Sequence, residues 1–233
     1  MTNNRLTPQF TPDCTKTEVA LGLIWLVMHM FVCPLLINLL PEDTDAVMAN
    51  ALYYGVSLAV TLTFGMKLLR REFDHLLDRK FHCVKGYFAA YFFWYAMSLA
   101  MVAALTALDL SQDLPNDAAM DVLAQENFRV TLTISVIAAP ILEEILFRGI
   151  LFQSVRKYSR VWAYIASIGL FGLYHVWQFA YLYRDWTYLL YALQYIPITL
   201  SLTWSYEHTG SLWVPIFFHA SNNYMAMQIL QLM

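Results

Sequence analysis

Charge is scarce in this chain. Only 13% of its 233 residues are Asp, Glu, Lys or Arg, where a soluble domain carries about 25%. Beside 59% hydrophobic residues, that deficit excludes a disordered chain, whose composition is the reverse. Basic residues are not in excess, 14 against 17 acidic ones, so nothing is present to drive phosphate binding and no nucleic-acid partner is expected. Cysteine is also rare. Cys14, Cys33 and Cys83 are odd in number and scattered, which excludes a disulfide framework. No Cys-x-x-Cys pair occurs, so a thiolate zinc site is not expected. Eight glycines exclude a collagen-like repeat. The opening residues, MTNNRLTPQFTPDCTKTE, are polar and lack a short apolar stretch before a small-residue cleavage site, so no removable signal peptide is expected.

Long apolar runs are abundant. A spanning helix takes about 20 apolar residues, and seven candidates read along the chain at 19–40, 47–69, 84–108, 130–153, 161–181, 187–204 and 212–232. The fold expected is an all-α polytopic membrane helix bundle of about seven transmembrane helices. Lys and Arg alternate between its sides. Eleven lie near the N-terminus, before the third span and after the fourth, against Arg129 and Arg184 in the other loops. The positive-inside rule then puts the N-terminus in the cytoplasm. The basic stretch RREFDHLLDRKFH reads either as a helix on the cytoplasmic lipid face or as a solvated loop. In PNDAAMDVLAQEN, Asn116 reads as the cap of a short outer helix.

The fourth span, VTLTISVIAAPILEEILFRGILFQS, carries Glu143, Glu144 and Arg148. Each charge costs about 2.5–3.5 kcal/mol at a helix centre, and intramembrane charge is a functional signal by default. Glu144 and Arg148 are one turn apart with the acid first, which suits an ion pair. Glu143 points about 100° away and has no counter-ion on its own helix. One paired and one tunable carboxylate suits a general base. The same pattern also reads as a salt bridge that locks helices together.

The fifth span holds Phe171 and His175, and the seventh holds His219 and Asn223. Both pairs have the four-residue spacing of one helix face. Alone, each reads more simply as a core histidine or as polar glue between helices. At 1.5 Å per residue, however, Glu143, His175, His219 and Asn223 all fall about 16–22 Å from the cytoplasmic ends of their helices. They therefore meet near the bilayer midplane. A carboxylate and a histidine can polarise a water, and a second histidine with an amide can hold an oxyanion. Ser221 lies on a different face from His219, and Gly-x-Ser-x-Gly, His-Glu-x-x-His and Gly-Asp motifs do not occur. His29, at membrane depth in the first span, reads as a core histidine.

Glu143-Glu144-x-x-x-Arg148, Phe171-x-x-x-His175 and His219-x-x-x-Asn223 together resemble the three signature motifs of the CAAX protease and bacteriocin-processing family, also called the Abi family. The resemblance covers about residues 127–231, including the approach Thr209-Gly210-Ser211-Leu212-Trp213. It implies an intramembrane glutamate-type endopeptidase with a catalytic four-helix core at 127–233. Residues 1–126 would add an N-terminal cytoplasmic segment and three accessory helices. By that resemblance Glu143 and His175 would activate a water, and His219 and Asn223 would form the oxyanion hole. Glu144, Arg148 and Phe171 would support the site. Family members process prenylated proteins, peptide leaders or membrane regulators, so the expected partners are the bilayer and a membrane-embedded or lipidated substrate. The small size suggests a prokaryotic cell membrane. No cofactor is expected. Zinc held by Glu143, His175 and His219 is a less favoured variant, because Arg148 occupies Glu144 and places a cation beside the site. A non-enzymatic immunity or binding protein of the same fold is the other alternative.

Overall fold

The computed structural model describes residues 10–37, 39–41, 43–107 and 115–232. Seven helices and no strand occur among them. Helix α1 is Lys16–Ile37. Thr15 and Glu18 start it with a reciprocal capping box, which satisfies two of the free N-terminal amides. Glu18 also takes Arg71 of the next helix at 2.9 Å, so the same carboxylate caps one helix and ties it to another.

Helix α2 is Ala46–Asp78, capped by Asp45. Its 33 residues span about 50 Å, well beyond a hydrocarbon core of about 30 Å. The basic stretch is thus neither a surface-lying helix nor a loop. It continues α2, and α3, Lys80–Ala107, starts directly after the break at Arg79. The physical reason is Glu72, which is 2% exposed and holds the extension against the rest of the bundle. Only Cys83, Gly86 and Ala90 of α3 are buried, while Phe88, Phe92, Leu99 and Val102 face outward. Such a surface fits lipid rather than water.

Helix α4, Pro115–Arg156, is broken at Asn127, whose φ of −153° and ψ of 87° are not helical. The Asn127 side chain accepts from the Val130 amide at 3.2 Å and so caps the long spanning half. Asn116 does not cap the outer half, because that helix already begins at Pro115. A proline suits this position, where an amide would have no helical partner. Two π turns, Ile134–Ala138 and Ile145–Phe152, widen the spanning half, and every residue of the second is buried.

Helix α5, Arg160–Tyr183, is capped by Ser159. A 3-10 stretch, Trp186–Tyr195, then leads into α6, Ile196–Thr209. Gly210, at φ 70°, supplies the left-handed turn between α6 and α7, Trp213–Leu232. Five helices, α1 to α5, are long and apolar enough to cross a membrane. The chain is an integral membrane protein with an all-α bundle.

Glu72 sets the entry to α7. Its carboxylate accepts from the Tyr206 hydroxyl at 2.7 Å and from the Leu212 amide at 2.9 Å, and its backbone carbonyl accepts from Ser211 at 2.7 Å. The Trp213 indole donates to the Leu69 carbonyl at 3.0 Å. Three bonds from one residue, with a fourth one turn away, fix where α7 starts. The depth of every side chain on α7 follows from that start.

Candidate active site

The seven motif side chains of α4, α5 and α7 lie in one region of the bundle. Glu144 accepts from Arg148 at 2.8 Å within α4, both side chains being fully buried. The same Oε1 meets Nδ1 of His219 from α7 at 2.9 Å. Because Arg148 holds Glu144 as an acceptor, His219 donates from Nδ1. The other ring nitrogen, Nε2, lies 3.8 Å from Oε2 of Glu143. That is too long for a direct hydrogen bond and short enough for one water to touch both atoms. Oε2 of Glu143 is buried and has no partner among the described residues. The adjacent carboxylates differ in what they hold: Oε1 of Glu144 takes both Arg148 and His219, while Oε2 of each acid is unpartnered among the described residues.

Arg148 is held on three sides. Its guanidinium sits 4.4 Å from the Phe171 ring centroid, and Nη2 reaches the Thr199 carbonyl of α6 at 3.5 Å. A cation over an aromatic face is favourable, the more so when desolvated. Phe171 thereby connects the ion pair to α5. Its ring also packs on His175 at 4.6 Å and on His219 at 5.9 Å.

His175 donates from Nδ1 to the Phe171 carbonyl at 2.9 Å. A carbonyl can only accept, so in the neutral ring Nε2 keeps the lone pair. Tyr174 and Tyr195 flank the His175 ring at 4.9 and 4.5 Å. Asn223 donates from Nδ2 to the Ser135 carbonyl in the first π turn at 2.9 Å. This fixes the amide and leaves its second N–H unassigned. Glu143, Glu144, Arg148, Phe171 and His219 are buried, whereas His175 and Asn223 are partly exposed. Ser221 points elsewhere: its hydroxyl meets Tyr87 of α3 at 2.8 Å.

A family model described as Rce1-like, type II CAAX prenyl endopeptidase, matches residues 125–225. This stretch is thus similar to the CAAX prenyl endopeptidases. Across 194 residues the chain is also 25% identical to a Bacillus subtilis (strain 168) protein named "Putative membrane peptidase YdiL", covering 78% of this chain and 73% of the relative. No solved structure matches. The matched stretch contains all seven motif positions and spans the break at Asn127, both π turns and the 3-10 stretch. Both likenesses support a membrane protease in general.

Among the described residues, no group of three or more His, Cys, Asp or Glu side chains converges to hold a metal ion. His29 is a core histidine. It is fully buried, with Nδ1 3.1 Å from Ser57 and Nε2 3.0 Å from Tyr174. Sequence reasoning missed Glu72, the Ser135 carbonyl and Tyr195. A glutamate in a basic segment and a tyrosine in an aromatic run carry no local signal, and a backbone carbonyl carries none at all.

Proposed function

We propose that this chain is an intramembrane endopeptidase that cleaves a membrane-embedded or lipidated peptide with a water activated by Glu143. What supports this is the asymmetry of the two adjacent carboxylates. Glu144 is neutralised by Arg148 and holds His219. Glu143 is buried beside them with one oxygen unpartnered and 3.8 Å from His219. A free carboxylate with a histidine beside it, in a site of low dielectric, is suited to take a proton from water.

In the proposed step the water oxygen adds to the scissile carbonyl carbon, and its proton passes to Glu143. His175, whose Nε2 keeps a lone pair because Nδ1 donates to the Phe171 carbonyl, orients that water. His219 and the second N–H of Asn223 serve the developing oxyanion. His219 must carry both ring protons to do so, since Nδ1 already donates to Glu144. Collapse of the intermediate breaks the C–N bond, and the proton held by Glu143 goes to the departing amine. Partial exposure limited to His175 and Asn223 fits a substrate that enters laterally from the bilayer. The test is Glu143→Gln, which preserves shape and removes the base. Cleavage of a membrane peptide by wild type and not by this variant is the expected result. Equal cleavage by both would refute the role of Glu143.

A further inference from the structure

Four tyrosines come near enough to Glu143 to feel its charge. Tyr53 and Tyr54 come from α2, Tyr174 from α5, and Tyr195 from the end of the 3-10 stretch before α6. Each hydroxyl lies within electrostatic reach of the Glu143 carboxylate. Three of them are tied down. Tyr53 donates to the His29 carbonyl at 3.0 Å, Tyr54 and Tyr174 share a bond at 3.3 Å, and Tyr174 also meets Nε2 of His29 at 3.0 Å.

Tyr195 differs. Its hydroxyl is buried and has no partner among the described residues. A buried polar group left unpaired is costly, and phenylalanine would fill the same space without the cost. The ring packs on His175 at 4.5 Å, so Tyr195 lies beside the catalytic cluster and not in a remote part of the core. Oε2 of Glu143, Oε2 of Glu144 and Nε of Arg148, in the same cluster, are also buried without a partner among the described residues. Tyr195 offers a donor and the two carboxylates offer acceptors. Two of the donors assigned to the oxyanion are already engaged. Nδ1 of His219 is committed to Glu144, and one N–H of Asn223 to the Ser135 carbonyl.

We propose that the Tyr195 hydroxyl donates a hydrogen bond to the carbonyl oxygen of the scissile peptide, making it a further catalytic residue. This rests on the endopeptidase reading. As the C–O bond to water forms, the carbonyl π pair moves onto the oxygen. Tyr195 stabilises that charge through its shared proton without losing it. When the carbonyl re-forms and the C–N bond breaks, the hydroxyl returns to its starting state. The proton traffic runs through Glu143 alone.

The experiment compares wild type, Tyr195→Phe and Glu143→Gln as full-length protein in detergent or bilayers, with one membrane peptide as substrate. Tyr195→Phe keeps the ring on His175 and deletes only the hydroxyl. The expected result is a kcat about 100-fold lower with KM little changed, the size seen when one oxyanion donor is removed. Thermal stability should stay the same or rise, because the group removed is unpaired in the folded protein. A Tyr195→Phe enzyme with wild-type kcat overturns the proposal. If kcat and stability fall together, a ring-fluorinated tyrosine at 195 decides. Its more acidic phenol should move the alkaline limb of the kcat profile to lower pH, and an unmoved limb overturns the proposal. Loss in Glu143→Gln with full activity in Tyr195→Phe sinks this inference alone. Full activity in Glu143→Gln sinks the endopeptidase reading beneath it.

Discussion

His219 Nδ1 and Glu144 Oε1 lie 2.9 Å apart across the interface of α7 and α4, 75 residues distant in sequence. Through this bond the ion pair of α4 sets the orientation of the α7 imidazole. The ring then presents its second nitrogen toward Glu143 and no other carboxylate. The supporting acid therefore decides which way the catalytic cluster faces.

Removing the cation should break that arrangement. Arg148→Met leaves Glu144 buried without its counter-charge, a change that costs about 3–5 kcal/mol. The expected outcome is a large fall in unfolding temperature in detergent. Adding Glu144→Gln to Arg148→Met should recover part of the loss, because the uncompensated charge is then gone.

The accessory helix α1 packs closely on the site helix. A Cβ at Gly22 would lie 2.7 Å from Cγ1 of Ile150, inside van der Waals contact. Gly22→Ala should therefore cost about 1–3 kcal/mol by overpacking. In an Ile150→Ala background the same change should cost less. A double-mutant cycle measured by thermal unfolding reads the difference.

The charge pattern sets an orientation that labelling can check. With Cys14, Cys33 and Cys83 replaced, a cysteine at position 43 should react with an impermeant reagent on intact cells. One at position 79 should not. The opposite pattern would invert the topology.

The zinc variant is tested by chelation. Purified protein dialysed against a strong chelator should keep its cleavage activity. Activity lost and restored by zinc would assign a metal to Glu143, His175 and His219.

Much of the bundle was legible because hydrophobic length is a local property. Among the described residues each of the seven apolar runs contains helix, although 187–195 is a 3-10 stretch and five helices are long and apolar enough to span, and the four-residue spacings put His219 and Asn223 on one face of α7, as they put Phe171 beside His175. The extension of α2 was not legible. Glu72 looked like part of a polar loop, and the partners that bury it, Tyr206, Ser211 and Leu212, lie more than 130 residues away. The division of labour between the two glutamates was half legible. The i,i+4 spacing chose Glu144 for Arg148, but nothing local says that His219 turns to the same acid. Asn223 was legible as a polar residue on the right face, while its bond to a π-turn carbonyl depends on backbone geometry that side-chain patterns do not encode.

The central claim is that Glu143 performs peptide hydrolysis in the membrane. The most direct measurement compares new protein N- and C-termini in membranes of host cells carrying wild type or Glu143→Gln at matched levels. The account predicts a set of membrane-protein termini that appears with wild type and vanishes with Glu143→Gln. Identical termini in both, with the variant still supplying the biological function, would contradict it and leave the buried carboxylates as a scaffold.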